Sequence, residues 1–415
     1  RLVDVRNPLA ELQALADAAG AEVVDAVIQR RLRPSTATYL GKGKLEELRE
    51  RCEASEASVV IFDNELTPAQ IRKIEARTEC KILDRSELIL DIFATRARTH
   101  EARLQVELAQ LQYTAPRLRG MWTHLERIAG AGGGTGVGAV GGIGTRGPGE
   151  RQIEIDRRIV ADRISYLKRE ISRIDERKSR EVKSRADEFT VSLVGYTNSG
   201  KSTLMNALTG AGRATRDALF VTLDTKTTRW RLDERRTVLL SDTVGFVRDL
   251  PHRLVASFRA TLEEAIHADL LLHVVDASQE SALREVEAVR RVLEELGCAD
   301  KSTLVLLNKM DVADDPSVAQ VLEERWPGSL RISAKTGEGL DVLIAEVTRG
   351  VTQGSVRACL RVPVGEGKAL AALNQAGQVL ERRYDGQYVE LVVVMGQAQF
   401  DQLRTRFEQV VVVEG

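Results

Sequence analysis

Residues 195–202 read Gly195-Tyr196-Thr197-Asn198-Ser199-Gly200-Lys201-Ser202, a complete GxxxxGK[ST] phosphate-binding pattern. The apolar run from Phe189 to Val194 before it predicts a strand, and Thr203 to Leu208 after it predicts a helix. In this setting the glycines turn backbone N–H groups toward phosphate oxygens, Lys201 supplies positive charge and the Ser202 hydroxyl is placed to hold Mg²⁺. The sequence therefore predicts a P-loop (residues 195–203) that binds a nucleoside triphosphate.

A second pattern downstream indicates which base is bound. The apolar run from Thr303 to Leu307 predicts a strand, which Asn308-Lys309-Met310-Asp311 closes. The Asp311 carboxylate can accept two hydrogen bonds from guanine, whereas adenine offers no matching donor pair. After a strand-like piece (Leu330 to Ile332), the turn Ser333-Ala334-Lys335 can present backbone N–H groups to the guanine oxygen. The predicted base is guanine, and the predicted substrate is GTP.

Two segments between these patterns are predicted to sense the γ-phosphate and Mg²⁺. Val238 to Ser241 predicts a strand that ends in Asp242-Thr243-Val244-Gly245, where Asp242 would reach Mg²⁺ through water and the Gly245 N–H would sense the γ-phosphate. Upstream, Phe220, Val221 and Thr222 lie in a polar loop, and Thr222 is the expected switch threonine. Thr225 and Thr227 are alternatives for that role. The predicted catalytic residues are Lys201, Thr222 and Gly245, and the predicted metal-binding residues are Ser202, Thr222 and Asp242.

The residue after Asp242-x-x-Gly245 is Phe246, where Ras-like enzymes carry a water-orienting Gln. A phenyl ring can neither orient water nor accept a proton. We therefore expect slow intrinsic hydrolysis and stimulation by a partner in trans. The alternative is that a residue in cis, such as Lys226 or Arg229, substitutes for the missing group.

Composition narrows the class of protein. The chain has 415 residues, of which 43% are hydrophobic and 29% are charged, and its net charge is −1. It contains no apolar run long enough to predict a membrane span, and its four cysteines show no CxxC spacing. These features predict a cytoplasmic, globular protein, and we expect a monomer.

The segment from 95 to 187 carries more Lys and Arg than Asp and Glu, whereas the rest of the chain is acidic. Two apolar series with spacings of three and four predict an antiparallel helical hairpin arm. One runs from Leu104 to Leu118 and the other from Val160 to Ile174, and Pro116 is expected to end or kink the first helix. A basic arm is typical of nucleic-acid binding, although a solvated helical face explains the charge equally well.

A glycine-rich loop at 129–149 joins the two helices of the predicted arm. Aromatic and guanidinium groups near it can stack on unpaired RNA bases, although Trp122 can equally well pack the end of the hairpin. The candidate RNA contacts are Trp122, Arg127, Arg146 and Arg151.

The flanking segments predict two further small domains. In 1–94, strands are predicted at Ala21 to Ile28, Ser58 to Phe62 and Lys81 to Leu83, and helices at Gly43 to Glu50 and Pro68 to Arg77. Here Tyr39 to Lys44 is either a turn or a phosphate contact, and Asp63 to Glu65 either a turn or a metal cluster. The pattern in 355–415 predicts a β-α-β-β-α-β domain. The expected architecture is α/β multidomain: an N-terminal α/β domain with a parallel sheet (1–94), the arm (95–187), a P-loop GTPase domain (188–352) and a small α+β C-terminal domain (355–415).

Several longer strings resemble the HflX-type GTPase family, a ribosome-associated class of translation factors. They are Gln29 with Thr38 to Lys44, Asp63 to Pro68, Leu83 to Arg85, Ile89 to Phe93, Arg96 to Glu101, Leu104 to Leu111, Met121 to Leu125 and Gly142 to Glu150, and the match continues through Phe220 to Asp224. One departure is Arg151, which stands where the family usually has Thr.

The resemblance implies a factor that binds the 50S subunit and its rRNA in the GTP form. Its arm would approach the peptidyl-transferase region and split stalled ribosomes, and hydrolysis would release it. A different class is a GTP-gated RNA-remodelling or tRNA-modification GTPase, for which the sequence shows no second catalytic cluster. A third is a signalling GTPase that gates a protein partner.

Overall fold

The computed structural model describes residues 8–117, 148–184, 188–210, 226–234, 236–248, 259–313, 315–353, 355–376 and 378–396, and further single residues and short stretches between 400 and 414. Within these residues, no helix is both long and apolar enough to cross a lipid bilayer.

The N-terminal segment (residues 8–96) packs helices around a two-stranded parallel sheet. The elements are α1 (Ala10–Ala18), α2 (Lys42–Ser55), β1 (Val59–Phe62), α3 (Pro68–Thr78), β2 (Lys81–Asp84) and α4 (Arg85–Arg96). Local chemistry fixes where two of these helices begin. Thr67 and Gln70 form a reciprocal capping box at α3 with Pro68 in its first turn, and the Asp84 side chain accepts the Glu87 N–H at α4.

The strand predicted at Ala21 to Ile28 is wrong, because the structure has no strand there. Val23 and Val24 are consecutive and both exposed, so the segment has no alternating apolar face that a sheet would bury. Only Val27 packs against a core. The segment is instead held by side chains: Asp25 pairs with Arg51, and the Gln29 side chain accepts the Gly41 N–H.

Two helices form the described part of the arm, α5 (His100–Thr114) and α6 (Pro148–Ser184). The predicted apolar seam is present, because Leu104 and Leu108 of α5 pack against Leu167 and Ile171 of α6. A short 3₁₀ turn, Ala115–Arg117, ends α5 at the predicted proline. Arg117 ties this end to the N-terminal segment through an ion pair of 3.0 Å with the fully buried Asp84.

The sheet that carries the P-loop pattern, called the nucleotide-binding sheet after the sequence prediction, has the order β4-β5-β3-β6-β7-β8, in which only the edge strand β4 is antiparallel. Its strands are β3 (Thr190–Gly195), β4 (Lys226–Arg231), β5 (Thr237–Asp242), β6 (Leu270–Asp276), β7 (Thr303–Asn308) and β8 (Leu330–Arg331). The helices are α7 (Lys201–Thr209), α8 (Arg259–His267), α9 (Ala282–Glu295), α10 (Pro316–Arg325) and α11 (Leu340–Gln353). The carboxyl ends of parallel strands share one edge, where ligands bind in such sheets.

The C-terminal segment forms a four-stranded sheet with the order β10-β11-β9-β12. Its elements are β9 (Ser355–Pro363), α12 (Gly367–Ala376), β10 (Gln378–Asp385), β11 (Tyr388–Gly396) and β12 (Val411–Glu414). All its pairings are antiparallel, and the hairpin between β10 and β11 turns at Gly386, where φ is +58°. This segment has an apolar core of its own, built around Leu360, Leu373 and Leu391.

Candidate nucleotide-binding site

The P-loop connects β3 to the first turn of α7, as the sequence pattern predicts. Gly200 has a φ of +95°, and a Cβ there would lie 2.3 Å from the Asn308 amide nitrogen. A larger residue there would therefore displace the Asn308 amide that the P-loop contacts. Gly245 makes a similar close approach, because a Cβ there would lie 2.7 Å from the Thr197 Cα. The two glycines thus allow the ends of β3, β5 and β7 to meet at the P-loop.

Lys201 is buried at the start of α7, and its ammonium group is hydrogen-bonded to the P-loop backbone. Its Nζ donates hydrogen bonds to the carbonyl oxygens of Gly195 and Tyr196, at 3.0 and 2.8 Å. Burial lowers the pKa of Lys201 to about 8, against the opposing effect of the Asp242 carboxylate. A phosphate beside this group would stabilise its charged form.

Two of the predicted metal-binding residues lie in contact. The Ser202 hydroxyl donates a hydrogen bond of 2.7 Å to Asp242 Oδ2, and Asp242 ends β5 almost fully buried. A hydroxyl and a carboxylate are hard oxygen donors of the kind that Mg²⁺ prefers when phosphate oxygens complete its shell. No cluster of three or more His, Cys, Asp or Glu side chains suited to a metal occurs in the described residues. The donors present fit a nucleotide-bound Mg²⁺.

The segment after Gly245 is bonded directly to the P-loop. The Thr197 N–H donates to the Phe246 carbonyl at 2.7 Å, and the Phe246 N–H donates to the Gly195 carbonyl at 3.1 Å. The Phe246 side chain is only 3% exposed and packs in an apolar core with Val194 and Val244. Phe246, at the position where Ras-like enzymes carry Gln, is thus part of the apolar core and has no polar side-chain group. The Thr243 hydroxyl donates to the Leu193 carbonyl at 2.7 Å, so it too is occupied within the sheet.

The predicted base-binding residues converge at the ends of β7 and β8. Buried Asn308 donates from Nδ2 to the Ser199 carbonyl at 2.8 Å and accepts the Ala334 N–H at 2.9 Å, which joins the P-loop to the Ser333-Ala334-Lys335 turn. The Ser333 hydroxyl donates to Asp311 Oδ1 at 2.7 Å and so orients that carboxylate. Lys309 adopts a left-handed backbone conformation with φ of +65°.

One residue of this group was missed in the sequence. Asp276, at the end of β6, forms an ion pair of 2.7 Å with Lys309 and accepts hydrogen bonds from Ser278. The signal was available, because the apolar run Leu270 to Val275 ends in this aspartate. Asp276 therefore fixes the Lys309 side chain at the same sheet edge.

Of the competing switch threonines, only Thr227 lies among the described residues. It belongs to β4, and its hydroxyl contacts Ser241 Oγ at 3.2 Å and Glu264 Oε1 at 3.3 Å. These contacts commit Thr227 to the sheet and disfavour a role on Mg²⁺. Phe220, Val221, Thr222 and Thr225 lie outside the described residues.

The two candidate cis residues differ in position. In the register of β4 and β5, Lys226 lies opposite Asp242, at the sheet edge next to the P-loop, whereas Arg229 lies opposite Leu239. Three residues along a strand place Arg229 about 10 Å farther from that edge. Arg229 also forms an ion pair of 2.9 Å with Glu188. Lys226 is thus the better placed of the two.

The other predicted contacts are distributed as follows. Trp122, Arg127 and Arg146 lie outside the described residues, and of Arg151 only the helical backbone in α6 is described. The Tyr39 to Lys44 stretch forms a turn that leads into α2, with Tyr39 edge-on to Phe62. Asp63 forms ion pairs with Arg85 and Arg248, so it serves as a partner for arginines.

Three family models match consecutive parts of the chain. Residues 6–94 and 96–185 match the family models described as GTP-binding GTPase N-terminal and GTP-binding GTPase Middle Region, and residues 190–309 match the model described as 50S ribosome-binding GTPase. The chain also resembles the crystal structure of a GTP-binding protein from Sulfolobus solfataricus in complex with GDP, with 25% identity, a TM-score of 0.43, and coverage of 85% of this chain and 97% of that one.

Curated relatives match nearly the whole chain. It is 43% identical to GTPase HflX of Lacrimispora saccharolytica, over 94% of this chain and 90% of that protein. It is likewise 43% identical to GTPase HflX of Escherichia coli K12, over 91% of this chain and 86% of that protein. This degree of identity, over nearly the whole of both chains, shows that the chain belongs to the HflX family of GTPases.

Proposed function

We propose that this GTPase binds the large ribosomal subunit in its GTP form, splits or rescues stalled ribosomes, and is released after hydrolysis that the ribosome stimulates. Mg²⁺ is its cofactor, held by Ser202, Asp242 and Thr222. Asp311 selects guanine, and Lys201 and the Gly245 N–H stabilise the β- and γ-phosphates.

The buried phenyl ring of Phe246 carries this proposal. It packs in the core at 3% exposure, so no small rearrangement supplies a water-orienting group from that position. A group provided by a partner is worth roughly 10³–10⁵ in rate in GTPases that depend on one. The description "50S ribosome-binding GTPase" of the matching family model suggests which partner supplies it.

The arm supports the choice of an RNA-rich partner. Helices α5 and α6 form a packed pair whose far ends lead into the basic, glycine-rich stretch. Arginine and aromatic groups in that stretch are suited to stacking on unpaired bases, so Trp122, Arg127, Arg146 and Arg151 are the proposed rRNA contacts.

The direct test is single-turnover GTP hydrolysis with and without purified 50S subunits, with 30S subunits as the control particle. We expect stimulation by 50S alone, and equal rates in all three samples would overturn the proposal. The 50S affinity of the GTP-bound form should also fall steeply with salt, because contacts with phosphates release counterions.

A variant that lacks residues 129–147 separates the arm from the GTPase centre. It should retain GTP binding and basal hydrolysis while losing 50S stimulation. Full stimulation of this variant would show that the arm is not the rRNA contact.

A further inference from the structure

A network of charged and polar groups joins the N-terminal segment to the GTPase centre. Glu11 of α1 and Asp63 at the end of β1 both pair with Arg85, at 2.6 and 2.7 Å. Asp63 also pairs with Arg248 at 2.8 Å, and Arg85 Nε donates to the Arg248 carbonyl at 3.3 Å. Arg248 lies three residues after Gly245, so the network reaches the γ-phosphate-sensing segment.

Tyr196 connects this network to the P-loop. Its hydroxyl donates to the Glu11 carboxylate and accepts the Arg248 N–H at 2.6 Å. Burial and the adjacent Glu11 carboxylate raise the pKa of Tyr196 well above its ordinary value, so the phenol stays protonated and remains a donor. The Tyr196 hydroxyl thus contacts both α1 and the segment after Gly245. Because Tyr196 is the second residue of the P-loop, this contact joins the P-loop to both of them.

The charges of the network are balanced, and Arg85 is its buried member. Two carboxylates face two guanidinium groups; the Arg85 side chain is 3% exposed, whereas those of Glu11, Asp63 and Arg248 are 24%, 21% and 34% exposed. Removing one partner of a buried pair leaves the other charge unpaired, which costs far more than an exposed pair contributes. The network is therefore expected to form or break as a unit.

The residues between Gly245 and Arg248 lie in the same apolar core as α1 and α4. Phe246 and Val247 are buried in one apolar core with Leu12 of α1 and Leu88 of α4. A displacement of Gly245 on γ-phosphate binding would have to carry this core with it or break the network.

We propose that Glu11, Asp63, Arg85, Arg248 and the Tyr196 hydroxyl form an interdomain latch that couples the nucleotide at Gly245 to helices α1 and α4. The latch is a device of the protein alone. It rests on the GTPase activity and does not require ribosome binding, so all its tests are made without ribosomes.

The first test is hydrogen exchange of the full chain, loaded with GDP or with a non-hydrolysable GTP analogue. We expect the backbone amides of α1 and α4 to exchange at different rates in the two states. In Tyr196→Phe, which keeps the ring and removes only the hydroxyl, that difference should shrink or vanish. Identical exchange of α1 and α4 in both states of the unmodified protein would overturn the latch.

The second test is the ratio of GTP-analogue affinity to GDP affinity. Coupling is reciprocal, so Arg85→Gln should change this ratio by about fivefold or more although Arg85 lies outside the P-loop. Arg117→Gln is the matched control, because Arg117 pairs with buried Asp84 in the same segment but contacts neither Tyr196 nor Arg248 through that pair. An unchanged ratio in both Arg85→Gln and Tyr196→Phe would refute the proposal, as would an equal change in Arg117→Gln.

Discussion

Asn308 links three parts of the predicted base site through one side chain. Its amide spans the P-loop carbonyl of Ser199 and the N–H of Ala334, so three strand ends share one buried side chain. A buried amide with both ends satisfied has little freedom to rotate. If the base binds where the sequence predicts, its pocket is therefore largely preformed.

Asp311 is expected to set the base preference. Asp311→Asn replaces two charge-assisted acceptor bonds with a weaker and partly mismatched contact, which costs about 3 kcal/mol, or roughly 100-fold in GTP affinity. The measurement is calorimetric titration with GTP and ATP, and the weak ATP affinity should not change. Asp315→Asn is the control, because Asp315 only caps α10. Equal GTP affinity in the two variants would contradict the assignment.

Lys201 should make nucleotide binding depend on pH. Its pKa without nucleotide is lowered to about 8, below the ordinary value of a lysine, and bound phosphates raise it again. Affinity is therefore highest below pH 8 and falls above it, by at most about tenfold per pH unit, because binding must then take up a proton.

Proton uptake can be measured by calorimetry in two buffers of different ionisation enthalpy. At pH 9 the apparent binding enthalpy should differ between the buffers, and at pH 6.5 this contribution of Lys201 should vanish. The absence of uptake at pH 9 would show that Lys201 is already charged in the free protein.

The GTPase motifs could be located from the sequence because their spacing is local. The phosphate loop and the Asn308 to Asp311 pattern each follow a short apolar strand, and the strand positions are visible in the sequence. The partnership of Glu11 with Tyr196 joins residues 185 positions apart, and no periodicity indicates it. Contacts of that kind depend on how the segments pack against each other.

At the scale of elements, strand and helix assignments succeeded where one face is consistently apolar. The arm seam was predicted because apolar residues repeat at spacings of four and three, as in Leu104, Leu108 and Leu111 and in Ile164, Leu167 and Ile171. The segment from 21 to 28 has no consistently apolar face, and the strand predicted there was wrong. Strand β4 escaped notice because Lys226–Arg231 is largely polar, and it becomes a strand by pairing at the sheet edge.

The seam should stabilise the arm through burial of Leu167, which is fully enclosed. Leu167→Ala removes the buried methyl groups and leaves a cavity, at a cost of about 2–5 kcal/mol to the arm. Ile159→Ala on the same helix is the control, because Ile159 is 61% exposed and its loss should cost about 0.5 kcal/mol or less. Hydrogen exchange of α5 and α6 measures both effects, and equal protection in the two variants would contradict the seam.

The apolar cores group the elements of the molecule differently from the sequence segments. One apolar cluster contains residues of α1, α4, α5 and the nucleotide-binding sheet, whereas the C-terminal sheet has a separate cluster. Elements that share a core are expected to unfold together.

Calorimetric unfolding should therefore show two transitions, only one of which responds to nucleotide. GDP at 100 times its Kd stabilises the unit that binds it by about 2.7 kcal/mol. The transition that includes α1 and the nucleotide-binding sheet should move to higher temperature, and that of the C-terminal sheet should stay in place. A shift of both transitions would show that the two cores unfold as one.

Helix α6 has 37 residues, and at 1.5 Å per residue it is a rod about 55 Å long. It packs on α5 along the seam and also contacts α8 beside the nucleotide-binding sheet. Such a rod acts as a lever: a tilt of about 5° at one end sweeps the other end through roughly 5 Å, more than the 3.4 Å that separates stacked bases. An angular change of about 5° at one end of α6 would thus be amplified, at the opposite end, to the size of a nucleotide step.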